Sequence, residues 1–265
     1  MNWLDRFQLP GKPLFVETMA WPDLEAIRGD VLLLPIGATE QHGPHLPVNT
    51  DSVIATAVCA YASAKTGAPI LPTLNYSVSI GHTEKWPGSF ALFHETLMRT
   101  VREIAAWAVA SGWKRLLLIN GHCGNDAALR CAVDRLRFDF VNRLLVAIRN
   151  TWQLTAEIAR SFTLDAVDWH ANEAETSLML FLAPETVRTD RIAGAVDPDR
   201  TGNCIFPHMV AHTSLNGVTG NPSEATREKG AALIQQMGDA LAVLIESARI
   251  ETAPLAWHRT EPSFS

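Results

Sequence analysis

The segment Thr39-Glu40-Gln41-His42-Gly43-Pro44-His45-Leu46-Pro47-Val48-Asn49-Thr50-Asp51 holds the chain's densest set of groups able to bind a metal ion or move a proton. Glu40 and His42 are two apart, so on an extended segment they project to the same side. Asp51 enters from the start of the next helix, after a turn set by Gly43, Pro44 and Pro47. Imidazole with two carboxylates is a donor set for zinc, manganese or iron; the competing reading is a surface loop whose polar residues cap a helix. A second cluster is Asn120-Gly121-His122-Cys123-Gly124-Asn125, where glycines around the histidine let the backbone bring the imidazole close to another group. Cys123 as a nucleophile would need a base and an oxyanion nest that the sequence does not place, and it is read as a bystander.

The third cluster runs from Asp168 to Ser177 (DWHANEAETS). Glu173 falls in the first turn of a predicted helix, where a carboxylate is favoured by the helix dipole, so it is either a ligand or plain N-terminal electrostatics. His170, just ahead of that turn, can enter a crevice as an acid or base. Trp169, with Trp86 and Trp152, either lines an apolar pocket for a planar substrate or belongs to the core. A two-metal centre draws ligands from several loops and needs one carboxylate to bridge ions about 3.5–4 Å apart. Asp51, between the ligands of its own loop and the helix behind it, is the natural bridge. That is the machinery of metal-assisted amide hydrolysis.

The elements that must position these loops are read from periodicity. Short runs apolar on both faces, residues 31–36 (VLLLPI), 68–74 (APILPTL), 115–119 (RLLLI) and 143–148, predict buried strands. Helices are predicted over 52–66, stopped at Gly67, over 94–111, stopped at Gly112, and over 127–138, 152–161, 173–182 and 223–248. Residues 76–90 and 188–214 read as irregular. Strands alternating with helices imply right-handed βαβ crossovers and a mostly parallel sheet, with ligands in the crevice at the strands' carboxyl ends. The first two clusters lie there.

The 265 residues are 47% hydrophobic and 19% charged, with a formal net charge of −6, enough apolar character for a packed core. An acidic balance without basic blocks points away from nucleic acid, and no run approaches the 18 or so apolar residues of a membrane span. Residues 1–10 have no signal-peptide core. Four cysteines at wide, irregular spacings fit a reducing cytoplasm. The tail from Glu251 to Ser265 is expected on the surface or at an oligomer interface.

Gly37-Ala38-Thr39-Glu40-Gln41-His42-Gly43-Pro44-His45-Leu46-Pro47, then Asp51, Asn120-Gly121-His122 and the His170–Ser177 stretch resemble the creatininase (creatinine amidohydrolase) family. Gly217-Val218-Thr219-Gly220-Asn221-Pro222, followed by Ala225 and Glu228-Lys229-Gly230, extends the likeness from about Val31 to Gly230. The resemblance implies one α/β domain over residues 1–265, a three-layer α/β/α fold with a mostly parallel central sheet. It also implies two divalent ions per chain (zinc, manganese or iron), hydrolysis of an amide or cyclic amide C–N bond, and a homo-oligomer, hexameric in creatininase itself. Carried over by position, Glu40 and His42 each hold one ion, Asp51 bridges, His122 joins Glu40's ion, and His170 matches the catalytic histidine, a proton shuttle to the leaving nitrogen.

Two departures set this chain apart from creatininase proper. Gly124 stands where creatininase has a glutamate that ligates the second metal; Glu173 is the candidate replacement, and Glu175 is placed behind the ligands, orienting one of them. Trp86-Pro87-Gly88-Ser89 stands where relatives usually have a phenylalanine, with Gly81-His82 upstream; that loop is expected to shape the pocket and points away from creatinine. His45 is the alternative extra ligand or pocket group. A cyclic amide, a formamide and a short peptide all remain open as substrates, and the competing class is a non-catalytic metal-binding protein.

Overall fold

A computed structural model of the chain describes residues 3–255 and 257; of the predicted surface tail, residues 256 and 258–265 lie outside the described residues. The strands are β1 (Leu14–Phe15), β2 (Val31–Ile36), β3 (Pro69–Ile70), β4 (Arg115–Asn120) and β5 (Leu145–Asn150). They form one sheet in the order β1-β3-β2-β4-β5, every pairing parallel. The helices are α1 (Trp21–Ile27), α2 (Thr50–Thr66), α3 (His94–Ala110), α4 (Asp126–Asp139), α5 (Ala156–Phe162), α6 (Glu173–Leu182), the short α7 (Val210–Thr213) and α8 (Arg227–Ile250).

β2 and β4 are apolar on both faces because each face is covered. Leu32, Leu34, Ile36, Leu116 and Leu118 pack against Leu97 and Val101 of α3 and Leu129 and Leu136 of α4. The alternate residues Val31, Leu33, Leu117 and Ile119 share a second core with Ile54 and Val58 of α2, Leu178 of α6, and Ile234 and Leu241 of α8. Period-two side chains on a central sheet thus divide the interior into two cores, which makes three layers, α/β/α. Each fully buried leucine or isoleucine contributes about 1.5–3 kcal/mol.

The structure trims several expectations. Of residues 68–74 only Pro69–Ile70 forms a ladder, with an isolated bridge from Leu74 to Ile36, because Pro72 has no N–H to continue it. The strand expected over 143–148 runs from Leu145 to Asn150, and the helix over 152–161 divides into a turn at Thr151–Gln153 and α5, capped by Thr155 Oγ1, which accepts from Ile158 N–H. β1 and α1 were not foreseen: two and seven residues are too short to show a period. Among the described residues no helix is long and apolar enough to cross a membrane.

Chain order sets the crevice. From β2 the chain passes through α2 to β3 on one side, then through α3 on the opposite face to β4 on the other side of β2. The carboxyl ends of β2 and β4 therefore sit at a topological switch point, where open α/β sheets bind ligands. Gly121, just past β4, permits the final approach: a Cβ there would lie 2.7 Å from Asp51 O and 3.0 Å from Ala55 Cβ. Without that side chain the first turn of α2 closes against the strand ends and delivers Asp51 to the crevice.

Candidate metal centre

Asp51 is buried, and its two carboxylate oxygens face different imidazoles. Oδ1 lies 3.2 Å from His42 Nε2, and Oδ2 lies 3.2 Å from His122 Nδ1. His42 Nδ1 donates to Glu40 O at 3.1 Å, so its Nε2 keeps the lone pair. His122 Nε2 donates to Val78 O at 2.8 Å, so its Nδ1 keeps the lone pair. Each ring is thereby locked, through a backbone carbonyl, with its basic nitrogen turned to Asp51.

Three overlapping sets of donors gather around this carboxylate. Glu40, Asp51 and His122 place their ligand atoms within 4.8 Å of one another, as do His42, His170 and Glu175, and also Glu40, His82 and His170. Glu40 Oε2 is 3.1 Å from His122 Nε2, and Glu175 Oε1 is 3.7 Å from His42 Nε2. Glu40 Oε1 and Oε2, His42 Nε2 and Asp51 Oδ2 are buried with no hydrogen-bond partner. Buried polar atoms are normally satisfied. Four electron-rich atoms left without donors in one place are what bound cations would satisfy, so the donor set fits divalent metal.

The protonation pattern agrees. Burial pushes the Glu40 carboxyl up to about 7, against the pull of His122. Burial opposes charge on His122, yet the Glu40 and Asp51 carboxylates raise it to about 9; Asp51 likewise lifts His42 well above the usual imidazole range. Asp51, despite burial, is held well below the usual carboxylate range by those two rings. Without cations, protons take their place between the carboxylates.

Asparagines at the strand ends support the loops. Asn120 Oδ1 accepts from His122 N–H at 3.1 Å and from Asn125 Nδ2 at 3.3 Å. Asn125 Oδ1 accepts from Val78 N–H at 2.9 Å, which fixes the carbonyl that orients His122. His170 is held by an antiparallel pairing with Thr219, N–H to O at 3.0 Å and 2.8 Å in the two directions. Its Nε2 donates to Gln41 O at 2.8 Å, leaving Nδ1 free, 3.5 Å from Glu40 Oε1. Burial and the neighbouring His82 and His42 keep His170 well below its usual range, hence neutral.

The structure brings together Glu40, His42, Asp51, His122 and His170, but not Glu173. Residues two apart on a helix point about 200° apart. Glu175 faces His42, with its other oxygen accepting from Ala171 N–H at 2.7 Å, while Glu173 pairs with Lys229 Nζ at 2.5 Å on the far side. The position expected for Glu173 beside His42 is taken by Glu175, expected only behind it. His45 stands apart, its Nε2 2.8 Å from Thr176 Oγ1, and is lowered to about 4 by burial and by His42. Trp86 does not reach the cavity wall; its ring lies 4.6 Å from Lys85 Nζ. Trp152 is a core residue, and Trp169 packs on it and on Phe162 with one side on the cavity. Cys123 is exposed and in none of the donor sets.

Two residues escaped the sequence reading. His82 Nδ1 approaches Glu40 Oε1 at 3.4 Å, and Gln41 is buried among the histidines. A histidine preceded by glycine in a loop already expected to shape the pocket was the available signal for the first; Gln41 gave none. A cavity of about 290 Å³ opens over the cluster, lined by Asp51, His82, His122, Trp169, His170 and Glu175 among others. Gly124 forms part of its wall, and a Cβ there would lie 2.5 Å from His122 Nε2 and 2.7 Å from Val78 O.

Comparison with known proteins bears on this site. The family model described as creatininase, creatinine amidohydrolase, matches residues 17–245. The creatinine amidohydrolase of Pseudomonas putida is 32% identical over 241 residues, 84% of this chain and 93% of its own. The mycofactocin precursor peptide peptidase of Mycolicibacterium smegmatis is 33% identical over 219 residues, 78% of this chain and 81% of its own. A solved creatininase variant of Zn-Zn type superposes with a TM-score of 0.78 at 30% identity, covering 91% of this chain and all of that one. With the parallel three-layer fold and the buried carboxylate–imidazole cluster, these likenesses establish that the chain belongs to the creatininase family and is a metal-dependent amidohydrolase.

Proposed function

We propose that this protein hydrolyses the C–N bond of a small, compact amide at a centre of two divalent ions, with residues 1–265 acting as one domain. Glu40, Asp51 and His122 would hold one ion, and His42, Asp51 and Glu175 the other. The observation that carries the reading is Asp51, which turns one oxygen to each imidazole at 3.2 Å while the surrounding acceptors lack donors. Bound there, such a pair lowers the pKa of water toward neutrality and polarises an amide carbonyl. Zinc, manganese and iron(II) all suit the donor set.

The chain's own residues supply the rest. His170 Nδ1, neutral and free beside Glu40, is placed to accept a proton from the attacking water and return it to the leaving nitrogen. Trp169 offers an apolar wall for a flat amide group. A cavity of about 290 Å³ is at the small end of ligand pockets, which favours a cyclic amide or formamide over a longer peptide. We further infer a homo-oligomer, supported by the exposed apolar side chains of Ile205, Phe206 and Leu215, at 91%, 73% and 75% exposure.

The test is reconstitution. Metal-free protein is loaded with zinc, manganese or iron(II), its metal content measured, and the same samples are given creatinine, other lactams, N-formyl compounds and short peptides. Two ions per chain and metal-restored turnover of a small amide are expected. One ion per chain would overturn the shared-carboxylate arrangement, and turnover of peptides alone would overturn the substrate class.

A further inference from the structure

Gln41 lies between two histidines and two backbone groups, and its hydrogen bonds settle which way its amide faces. Oε1 accepts from Gly43 N–H at 2.9 Å, so Nε2 is the atom that donates to Gly217 O at 3.1 Å. Nε2 has a second hydrogen. Two ring nitrogens are within its reach, His82 Nδ1 at 3.1 Å and His170 Nε2 at 3.2 Å. His170 Nε2 already donates to Gln41 O at 2.8 Å, and a ring nitrogen that carries a hydrogen cannot accept another. The second Gln41 hydrogen therefore goes to His82 Nδ1.

A neutral imidazole that accepts at Nδ1 carries its own hydrogen on Nε2. His82 Nε2 has no hydrogen-bond partner among the described residues and is not one of the sealed, partnerless atoms; the ring forms part of the cavity wall, with 14% of the side chain exposed. The loop that carries it is anchored at the far end, where Lys85 Nζ donates to Ala211 O at 2.8 Å and Ser214 O at 2.6 Å. A fixed ring thus presents one N–H to whatever occupies the cavity.

We propose that His82 donates its Nε2–H to the oxygen of the bound amide, and that Gln41 is the positioning residue that holds His82 in that form. This rests on the hydrolase reading above. A donor aimed at an amide oxygen bonds more strongly as that oxygen gains charge during attack, so it favours the transition state over the ground state. Glu40, His82 and His170 bring their ligand atoms within 4.8 Å of one another, but the Gln41 bond sets His82 apart from a cation-holding role. Its Nδ1 lone pair, only 3.4 Å from Glu40 Oε1, is taken by Gln41 and is not available to a cation.

The test uses zinc-loaded, ¹⁵N-histidine-labelled protein. Long-range ¹H–¹⁵N spectra, with the His82 signals assigned by their loss in His82→Phe, should show the Nε2–H form in the wild type. Gln41→Glu, which sets an acceptor opposite Nδ1, should convert His82 to the Nδ1–H form. Acetohydroxamate, whose charged oxygen resembles that of an attacked amide, should bind about tenfold more weakly to His82→Phe. His82→Gln keeps an N–H near the same place and should restore binding to within about threefold. Zinc content should match the wild type in every variant. An Nδ1–H wild type, equal weakening in the Gln and Phe variants, or loss of zinc from His82→Phe would each overturn the proposal. None of these readouts needs turnover, so a failure to find any hydrolysed amide would count against the hydrolase reading alone.

Discussion

Replacing Asp51 with asparagine keeps the side chain's shape and removes the charge between His42 and His122, the one carboxylate assigned to both proposed ions. Structural zinc sites are worth about 10–16 kcal/mol spread over four donors, so one donor accounts for about 3 kcal/mol, or roughly a hundredfold in affinity. Because the Asp51 oxygens stand 3.2 Å from His42 Nε2 and 3.2 Å from His122 Nδ1, that loss should fall on both ions. Glu175, 3.7 Å from His42, belongs to one set only, so Glu175→Gln should weaken a single ion. Competition titration of metal-free protein against a zinc indicator resolves the two affinities, and elemental analysis gives the stoichiometry. A two-phase wild-type curve in which Asp51→Asn moves only one phase would refute the bridging role. So would an Asp51→Asn protein that keeps both ions at wild-type affinity.

Other outcomes follow from the same geometry. His170→Ala should retain its metal and lose turnover by about 10²–10⁴-fold, as measured by steady-state kinetics on metal-quantified samples. Gly124→Glu should not create a further ligand: its Cβ would lie 2.5 Å from His122 Nε2, so the imidazole is displaced and elemental analysis should show the Glu40-side ion lost. Glu173→Gln should leave metal content unchanged and cost at most about 1 kcal/mol in thermal unfolding, because its Lys229 partner is half-exposed. In the metal-free protein, His122 raised from 6.5 to about 9 stabilises the fold below pH 6.5 and loses that contribution as the pH climbs through about 9; Glu40, raised from 4.5 to about 7, acts in the same direction. Calorimetric Tm of the metal-free protein should therefore fall between pH 6 and 9, and zinc binding at pH 7 should release between about two and three protons, from His42, His122 and in part Glu40.

The buried strands and the helices that cover them were legible because apolar residues dominate them on every face or at helical spacing. β1 and α1 were not, being shorter than the period that would reveal them. At the site, the order of chain carried Glu40, His42, Asp51 and His122 to adjacent strand ends, and spacing alone could anticipate that. What it could not anticipate was rotation within a helix. Choosing between Glu173 and Glu175 depends on which side of α6 faces His42, and that follows from the Asn172 cap, whose Oδ1 accepts from Glu175 N–H at 3.3 Å, and from packing against α8. His82 depended on the path of an irregular loop, for which no periodicity exists. Gln41 sits between two recognisable residues and looks like a spacer; its part emerges only from the four groups around its amide.

Asp51 and Glu175 share one further circumstance: each stands in the first turn of a helix, α2 or α6. The partial positive charge there favours a negatively charged side chain, so each helix end helps hold its carboxylate in place. Two helix ends converging on one pocket thus seat two carboxylates by means of the backbone rather than of side chains, and no single substitution at the site would remove that support.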